Sequence, residues 1–417
     1  MSTSSTPLKV AIVGAGLGGL TAAIALRRQG HLVQASVILT SLPSTQVNVD
    51  ECPQIFEASA LNKEIGAAIG VPPNAMKILE TYGYDQKNLR SCEYRGVVAY
   101  SAAGGEPKRM VFRDQATHYG VQGILCLRTA LHQELKRLVH EDGPGAAIQL
   151  HLGTEIVDCD PDVGTITSKA GNKYEADVVV AADGIRSTLR TIVVGHPVNA
   201  PPTGTCAFRW MADASKLEGR PELDWVLKDG VSGGRLVNGP DYKHHFFLYP
   251  CQDGTRINVT MMHPDVRDQE QHSWYVPVTR ADVLAEYADF PMPCALPLLP
   301  TWTRARLALL GDAAHATFPT LGQGAAMAIE DAAALGCMLP AGTTRADVPA
   351  RLAAYEQVRK ARGEFVNTES LEQVTVPSKR GLFHRSPEMQ DFLNGYEAIA
   401  VAQEHFHKMF GGKAEDS

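Results

Sequence analysis

At 417 residues, 44% hydrophobic and 20% charged, the chain is too long for one ordinary hydrophobic core and predicts two intertwined domains. Its 39 Lys and Arg against 46 Asp and Glu leave a formal charge of -7, which argues against a nucleic-acid or anionic-membrane partner. Eight scattered cysteines with no C-x-x-C pair give no support to zinc or dithiol chemistry, and no uncharged apolar stretch reaches the ~18–20 residues of a membrane span.

Residues 1–7 are polar and do not read as a signal peptide, so a soluble, cytoplasmic protein is expected. Residues 8–13 form a β-branched apolar run that predicts a buried parallel strand. Gly14, Gly16 and Gly19 follow at once in G-x-G-x-x-G spacing and open a predicted helix over residues 20–28, ended by Gly30. Between a strand and a helix the three glycines act differently. Gly14 makes the tight turn, Gly16 lets backbone approach a pyrophosphate, and Gly19 lets helix pack on strand. The free N–H groups of the helix start then meet phosphate charge.

In such a unit an acidic residue about 20 positions on should bind ribose hydroxyls. The candidate, Glu57 after Gln54-Ile55-Phe56, comes much too late. Excising residues 35–54 leaves His-Leu-Val-Gln-Ile-Phe-Glu and restores the spacing, so this segment reads as an insertion. Two origins stay open: an intron translated in frame, or a genuine loop.

Farther along, residues 93–99 and 109–112 read as a hairpin split by Gly104-Gly105. Residues 178–182 are a wholly apolar strand ending in Asp183-Gly184. Between residues 201 and 300 the character changes to short β-like runs at 204–211, 224–227, 244–249 and 256–262, with turns at Gly233-Gly234, Gly239-Pro240-Asp241 and Asp253-Gly254. A mostly antiparallel sheet is expected from them. Residues 306–310 form another buried strand, delivering Gly311-Asp312; Gly322-Gln323-Gly324 then opens a helix over 325–335. Residues 349–370 predict a long amphipathic helix, with Pro349 in its first turn where a missing N–H costs nothing. No second G-x-G-x-x-G occurs.

Three segments taken together are specific: the Gly14–Gly19 turn, Ala182-Asp183-Gly184-Ile185-Arg186-Ser187, and Gly311-Asp312-Ala313-Ala314-His315 with Gly322-Gln323-Gly324. The set resembles the single-component flavin-dependent aromatic hydroxylases, in the salicylate-hydroxylase-like branch that includes fungal secondary-metabolism monooxygenases. The resemblance implies an α/β fold: a Rossmann-like FAD-binding domain of glutathione-reductase type, an inserted, mostly antiparallel β-sheet substrate domain, and a C-terminal helical region. The expected FAD domain takes residues 1–90, 115–200 and 301–345, the substrate domain 91–114 and 201–300, and the C-terminal helices 346–417.

Beyond Gly14, Gly16, Gly19 and Glu57, the resemblance implies flavin contacts from Ala68 in the 64–75 segment, Arg128 and Asp183. It also implies them from Asp312 on the ribityl hydroxyls, from Pro319, and from Gly322, Gly324 and Ala325 at a helix start facing the pyrimidine carbonyl. Arg209 in Cys206-Ala207-Phe208-Arg209-Trp210 is expected to pair with a phenolate or carboxylate, with a structural salt bridge as the alternative; Tyr242 is expected to hydrogen-bond the phenol oxygen. His245 and Tyr249 share one strand face and His244 takes the other. His315 is expected to support the flavin rather than act as a base.

The reaction so implied reduces FAD with NADH or NADPH, which binds transiently, adds O2 to give a flavin hydroperoxide, and hydroxylates a small phenolic or salicylate-like compound. No metal, nucleic acid or membrane partner is expected, and the protein is expected to be a monomer or homodimer. The alternatives are a flavin-dependent reductase or dehydrogenase of the same fold, and a non-catalytic flavin-binding protein.

Overall fold

The computed structural model describes residues 7–33, 54–58, 68–102, 104–141, 148–201, 205–227, 232–239, 244–264, 296–376, 379 and 387–411. Residues 34–53 of the expected insertion, 64–67 of the segment expected to contact flavin, and Tyr242 lie outside the described residues. Among the described residues no helix is long and apolar enough to cross a membrane.

The protein is α/β. A seven-stranded sheet runs Thr303–Arg304, Leu307–Leu309, Val178–Ala181, Lys9–Val13 (β1), then a strand in two pieces, then Gln149–Leu152. All its pairs are parallel except that of Thr303–Arg304 with Leu307–Leu309. Buried on both faces, its central strands are continuous apolar runs, as Val178-Val179-Val180-Ala181 with no side chain exposed illustrates. Helices Leu17–Arg28 and Gly324–Met338 pack against one face through Leu20, Leu26, Ile329 and Leu335. Trp302, Leu307 and Leu189 fill the other.

The two-piece strand carries the fate of the insertion. Leu32–Val33 (β2) pairs with β1 as Lys9–Leu32 and Val10–Val33. Gln54–Glu57 (β3) continues as Ala11–Gln54, Ile12–Ile55 and Val13–Phe56. Val33 and Gln54 thus occupy consecutive positions of one strand, although 20 residues separate them in sequence. Since residues 34 and 54 are both glutamine, removing 34–53 or 35–54 yields the same chain. Deleting residues 34–53 is therefore expected to leave a folded protein that retains FAD. Removing the closure entropy of a loop this long should also stabilise it by about 2–3 kcal/mol. Urea unfolding and the flavin absorbance after gel filtration test this; a deletion variant that does not fold, or emerges colourless, refutes it.

A second sheet of six strands runs Thr205–Asp213, Arg256–Pro264, His245–Cys251, Gly233–Asn238, Gly96–Ser101 and Lys108–Val111. It is antiparallel except where Gly233–Asn238 meets Gly96–Ser101. Two expectations are corrected here. Asp224–Leu227 is a one-turn helix, not a strand: it follows the Pro221–Leu223 turn and lays Trp225 and Val226 over the sheet. So short an apolar run has no periodicity of its own to decide between the two. Gly233-Gly234 is not a turn but the start of a strand. Gly233 has φ 153°, and a Cβ there would lie 2.0 Å from Gly96 O, so a glycine is what lets the two strands approach.

The long helix spans Val348–Thr375, with Pro349 in its first turn. Two further helices, Pro387–Asn394 and Ala398–Phe410, pack against the helical side of the molecule.

Candidate functional site

The glycine turn behaves as its residue types demand. Gly14 has φ 103°, and a Cβ on it would come within 2.2 Å of Ala182 O. Its N–H donates to Phe56 O at 2.7 Å, which binds the turn to β3. A Cβ on Gly19 would sit 1.9 Å from Gly14 O, so this glycine lets the helix close on the turn. Gly16 differs: an added Cβ would meet nothing within 4 Å. Gly16 is also the N-cap of Leu17–Arg28 with no side-chain cap, so the helix start opens into free space. Glu57, delivered to this point by β3, accepts from Ala15 N at 3.0 Å. Arg128 begins the helix Arg128–His140 and lines the same space.

A second helix start borders the same cavity. Gly322, Gln323, Gly324 and Ala325 line the cavity, and Gly324–Met338 has no side-chain cap at its N-terminus. Asp312, just past the Leu307–Leu309 strand, also lines it, as do Pro319 and Ala68. Gly16, Arg128, Asp312, Pro319, Gly322, Gly324, Ala325, Ala68 and Arg209 thus border one cavity of about 460 Å³. Asp183 does not line it, though its neighbours Ala182 and Gly184 do. Its Oδ2 accepts from Thr188 N at 2.9 Å and Leu189 N at 3.3 Å, while Oδ1 is buried without a partner, and burial raises its pKa. The open space at Gly16, two uncapped helix starts and the Asp312 carboxylate on the same cavity form the donor and acceptor set that FAD requires, so the residues fit that cofactor.

Two groups of buried charges hold these segments in place. Arg190, 1% exposed, donates to five carbonyls: Ala313 at 2.7 Å, Ile185 and Asp312 at 2.9 Å, Val198 at 3.1 Å and Gly184 at 3.2 Å. It ties the Asp183-Gly184 turn to Asp312. On the other side, Asp331 Oδ2 accepts from Gly311 N at 3.1 Å and pairs with His315 Nε2 at 2.6 Å; Oδ1 accepts from Arg359 Nε at 2.8 Å. Glu330 takes both Arg359 and Arg362, at 2.7 to 2.9 Å, and the Asn74 amide at 2.6 Å. Asn74 in turn donates to Gln323 at 3.1 Å. Burial alone would raise the Asp331 carboxyl, but His315 and Arg359 hold it down at about 2. Burial alone would lower His315, but Asp331 raises it.

Apart from His315, none of these supporting residues was singled out from sequence. A signal was present for two of them: adjacent acids inside the apolar run Ala328-Ile329-Glu330-Asp331-Ala332-Ala333 cannot both reach solvent and so demand buried cations.

The six-stranded sheet supplies the other wall. Arg209, Thr260, Met262, His245, Phe247 and Tyr249 face the cavity, while Phe208, Val259, Met261, Phe246 and Leu248 pack on the opposite face around Val226. Arg209 is exposed and makes no ion pair with any described carboxylate, so the salt-bridge alternative finds no partner there. Burial, reinforced by His244, brings His245 down to about 4, which leaves it neutral at pH 7; its Nε2 lies 3.0 Å from Met262 Sδ. Tyr249 donates to Ala68 O at 2.6 Å, and Asn258 accepts from Ala68 N at 3.1 Å. The sheet therefore grips both backbone groups of Ala68, which itself lines the cavity.

Comparisons with known proteins agree with this geometry. A family profile described as an FAD binding domain matches residues 7–370. The chain is similar to hispidin-3-hydroxylase of Neonothopanus nambi, 38% identical over 423 residues covering 95% of this chain and 96% of that one. It is also similar to the FAD-dependent monooxygenase cfoG of Aspergillus candidus, 30% identical over 387 residues, 87% of this chain and 84% of the other. Among solved structures, CtdE in complex with FAD and substrate superposes with a TM-score of 0.77 at 20% identity, covering 96% of this chain and 98% of that one. A salicylate hydroxylase substrate complex does so at 0.71 and 22%, covering 97% and 98%. At those identities the structural matches establish the fold alone.

Proposed function

The chain belongs to the FAD-binding-domain family, and from that premise we propose that it hydroxylates a phenolic or salicylate-like compound whose ionised oxygen rests on Arg209. It is an FAD-dependent aromatic monooxygenase, with the NAD(P)H and O2 use typical of such enzymes. The observation that carries the substrate reading is the single cavity joining the phosphate-binding turn at Gly16 to a cation, Arg209, that has no carboxylate partner among the described residues.

Bound FAD supplies the hydride acceptor and the activation of oxygen. The chain's own residues do the rest. Gly16 and the Leu17–Arg28 helix start would receive the pyrophosphate. Asp312, on the same cavity, would accept hydrogen bonds from ribityl hydroxyls. The positive end of Gly324–Met338 favours the negative charge of the reduced ring. Arg209 lowers the pKa of a phenol beside it, and the resulting phenolate is richer in electrons at the ring carbon to be hydroxylated. Phe247, Met262 and Phe112 keep that space apolar and exclude water. Glu57 serves the ribose hydroxyls, Asp183 the turn beside the ring, and Tyr242 the phenol oxygen. In this reading the parallel sheet is a Rossmann-like FAD domain of glutathione-reductase type and the six-stranded sheet a substrate domain. The C-terminal helices complete a cytoplasmic monomer or homodimer.

The test is oxygen-dependent NAD(P)H oxidation by the flavin-loaded protein, with and without a phenol. Salicylate and hispidin come first, since similar proteins are named for them. Stimulation together with a product heavier by one oxygen atom is expected. Turnover that ignores every phenol, or that continues without oxygen by saturating a double bond, would favour the reductase reading instead.

A further inference from the structure

The cavity face of the six-stranded sheet carries a hydroxyl that the proposed mechanism does not use. Thr260 sits on Arg256–Pro264, between Thr205–Asp213 and His245–Cys251. Its strand partners are Arg209 on one side and Phe247 on the other, and all three line the cavity. Thr205–Asp213 is an edge strand, so among the described residues Thr260 is the one residue directly opposed to Arg209. Directly opposed residues of an antiparallel pair keep their Cβ atoms about 4.5–5.5 Å apart on the same face. One ligand oxygen can therefore meet donors from both side chains.

Asn258, two residues earlier on the same strand, settles what Thr260 has to offer. The Ala68 N–H can be met only by an oxygen, and it donates to Asn258 Oδ1 at 3.1 Å. The NH2 end of that amide is thereby turned to Thr260, where it donates to Oγ1 at 3.3 Å. Asn258 is buried, and Ala68 is held from its other side as Tyr249 Oη donates to Ala68 O at 2.6 Å. A flipped amide would set NH2 against the Ala68 N–H, so the orientation is fixed. The Thr260 oxygen thus accepts from Asn258 and keeps its own proton, for which no described residue provides an acceptor. A hydroxyl that already accepts one hydrogen bond is polarised into a stronger donor. The guanidinium acts at the same corner of the sheet. Burial raises the Tyr249 phenol, the Arg209 charge opposes that rise, and Tyr249 is the strand partner of Asn258. A cation and a hydroxyl proton side by side suit an oxygen that bears charge and has no proton of its own to place.

We propose that Thr260 is a second substrate-binding residue, whose hydroxyl donates to the same ionised phenolate or carboxylate oxygen that Arg209 holds. Asn258 is the positioning residue that keeps the Thr260 proton turned to the ligand. Three hydrogen bonds then run in one direction, from Ala68 N–H to Asn258, from Asn258 to Thr260 and from Thr260 to the substrate. The proposal rests on the phenol-hydroxylase reading and adds a neutral donor that favours the ionised form of the bound oxygen.

The probes are para-nitrophenol, at a pH where it is ionised in water, and its methyl ether para-nitroanisole, which cannot ionise. Each Kd is measured by calorimetry on the full-length, flavin-loaded protein, which does not depend on turnover. The parent is expected to prefer the phenolate. In Thr260→Val, which keeps the branched shape and loses the hydroxyl, that preference should fall about tenfold, the size of one good hydrogen bond. Thr260→Ser, which keeps the hydroxyl, should stay near the parent. A preference unchanged in Thr260→Val while Arg209→Ala lowers it overturns the proposal and leaves the phenol-hydroxylase reading standing. A Thr260→Ser variant that falls as far as Thr260→Val overturns it too, since the methyl group and not the hydroxyl would then matter. Should Thr260→Val not hold flavin, Thr260→Ala also lacks the hydroxyl and gives the same reading. Asn258→Leu should lower the preference by less than Thr260→Val does; an unchanged preference removes the positioning role. If the parent does not prefer the phenolate and Arg209→Ala changes neither Kd, the phenolate reading of Arg209 has failed, and this proposal with it.

Discussion

Asp331→Ala is expected to strip the protein of its flavin and to destabilise it by about 3–5 kcal/mol, the range for removing one partner of a buried ion pair. Asp331 is fully buried and serves three donors at once: Gly311 N, His315 Nε2 and Arg359 Nε. Its loss leaves His315 and half of Arg359 uncompensated inside the core, where water cannot take over. It also frees the N–H that pins the turn before Asp312, so the carboxylate proposed to hold the ribityl chain loses its placement. Asp331→Asn keeps the shape and one acceptor but drops the charge, and should fall between parent and alanine variant.

The parent's pH dependence carries the same signature. The folded carboxyl titrates at about 2 against an ordinary 3.8. Its contribution is therefore complete above the ordinary value and disappears as pH falls through about 2. Urea unfolding of the apoprotein and flavin content after gel filtration are the two readouts. An alanine variant within about 1 kcal/mol of the parent that stays yellow would mean that the network does not hold the turn.

Arg209→Ala should leave flavin content and stability intact and lower kcat/KM for the stimulating phenol about a hundredfold. The stability half follows from the side chain being exposed and without an ion pair among the described residues, so the folded state loses little with it. The kinetic half follows from the lost charge-assisted hydrogen bond, worth about 1.5–3 kcal/mol. Without the cation the phenol also returns toward its ordinary pKa, so less of it is ionised at pH 7. Arg209→Lys keeps the charge but not the planar fork, and should recover part of the rate. The measurement is steady-state NAD(P)H oxidation against phenol concentration, with the visible spectrum as control. Normal hydroxylation by Arg209→Ala would remove Arg209 from the pocket assignment.

The legible parts of this protein were those in which the requirement is local. The glycine turn could be read because a tight turn, an open approach and a close helix contact each need a missing side chain at a fixed spacing, and Gly14, Gly16 and Gly19 meet those needs in that order. The inserted segment could be read for a related reason: a strand position is one residue long, and the residues on either side of the insertion still spell one strand. Asp224–Leu227 and Gly233–Asn238 were misread because four to six residues carry no period that distinguishes turn, strand and helix; packing over the sheet and the approach of Gly96 decided them.

By itself, then, the sequence determined the α/β class, the nucleotide-binding turn, the Gly311-Asp312 segment and the helix starting at Gly324, because each is written within a few neighbouring residues. Which distant charges hold those segments is set instead by how the whole chain packs. Glu330 and Asp331 find Arg359 and Arg362 about 30 positions away, Arg190 reaches Asp312 across 122 positions, and Asp391 meets Tyr119 across 272. Nothing local requires these pairings. They arise because buried charges must find partners wherever the chain's packing brings them, and that packing is a property of the whole fold.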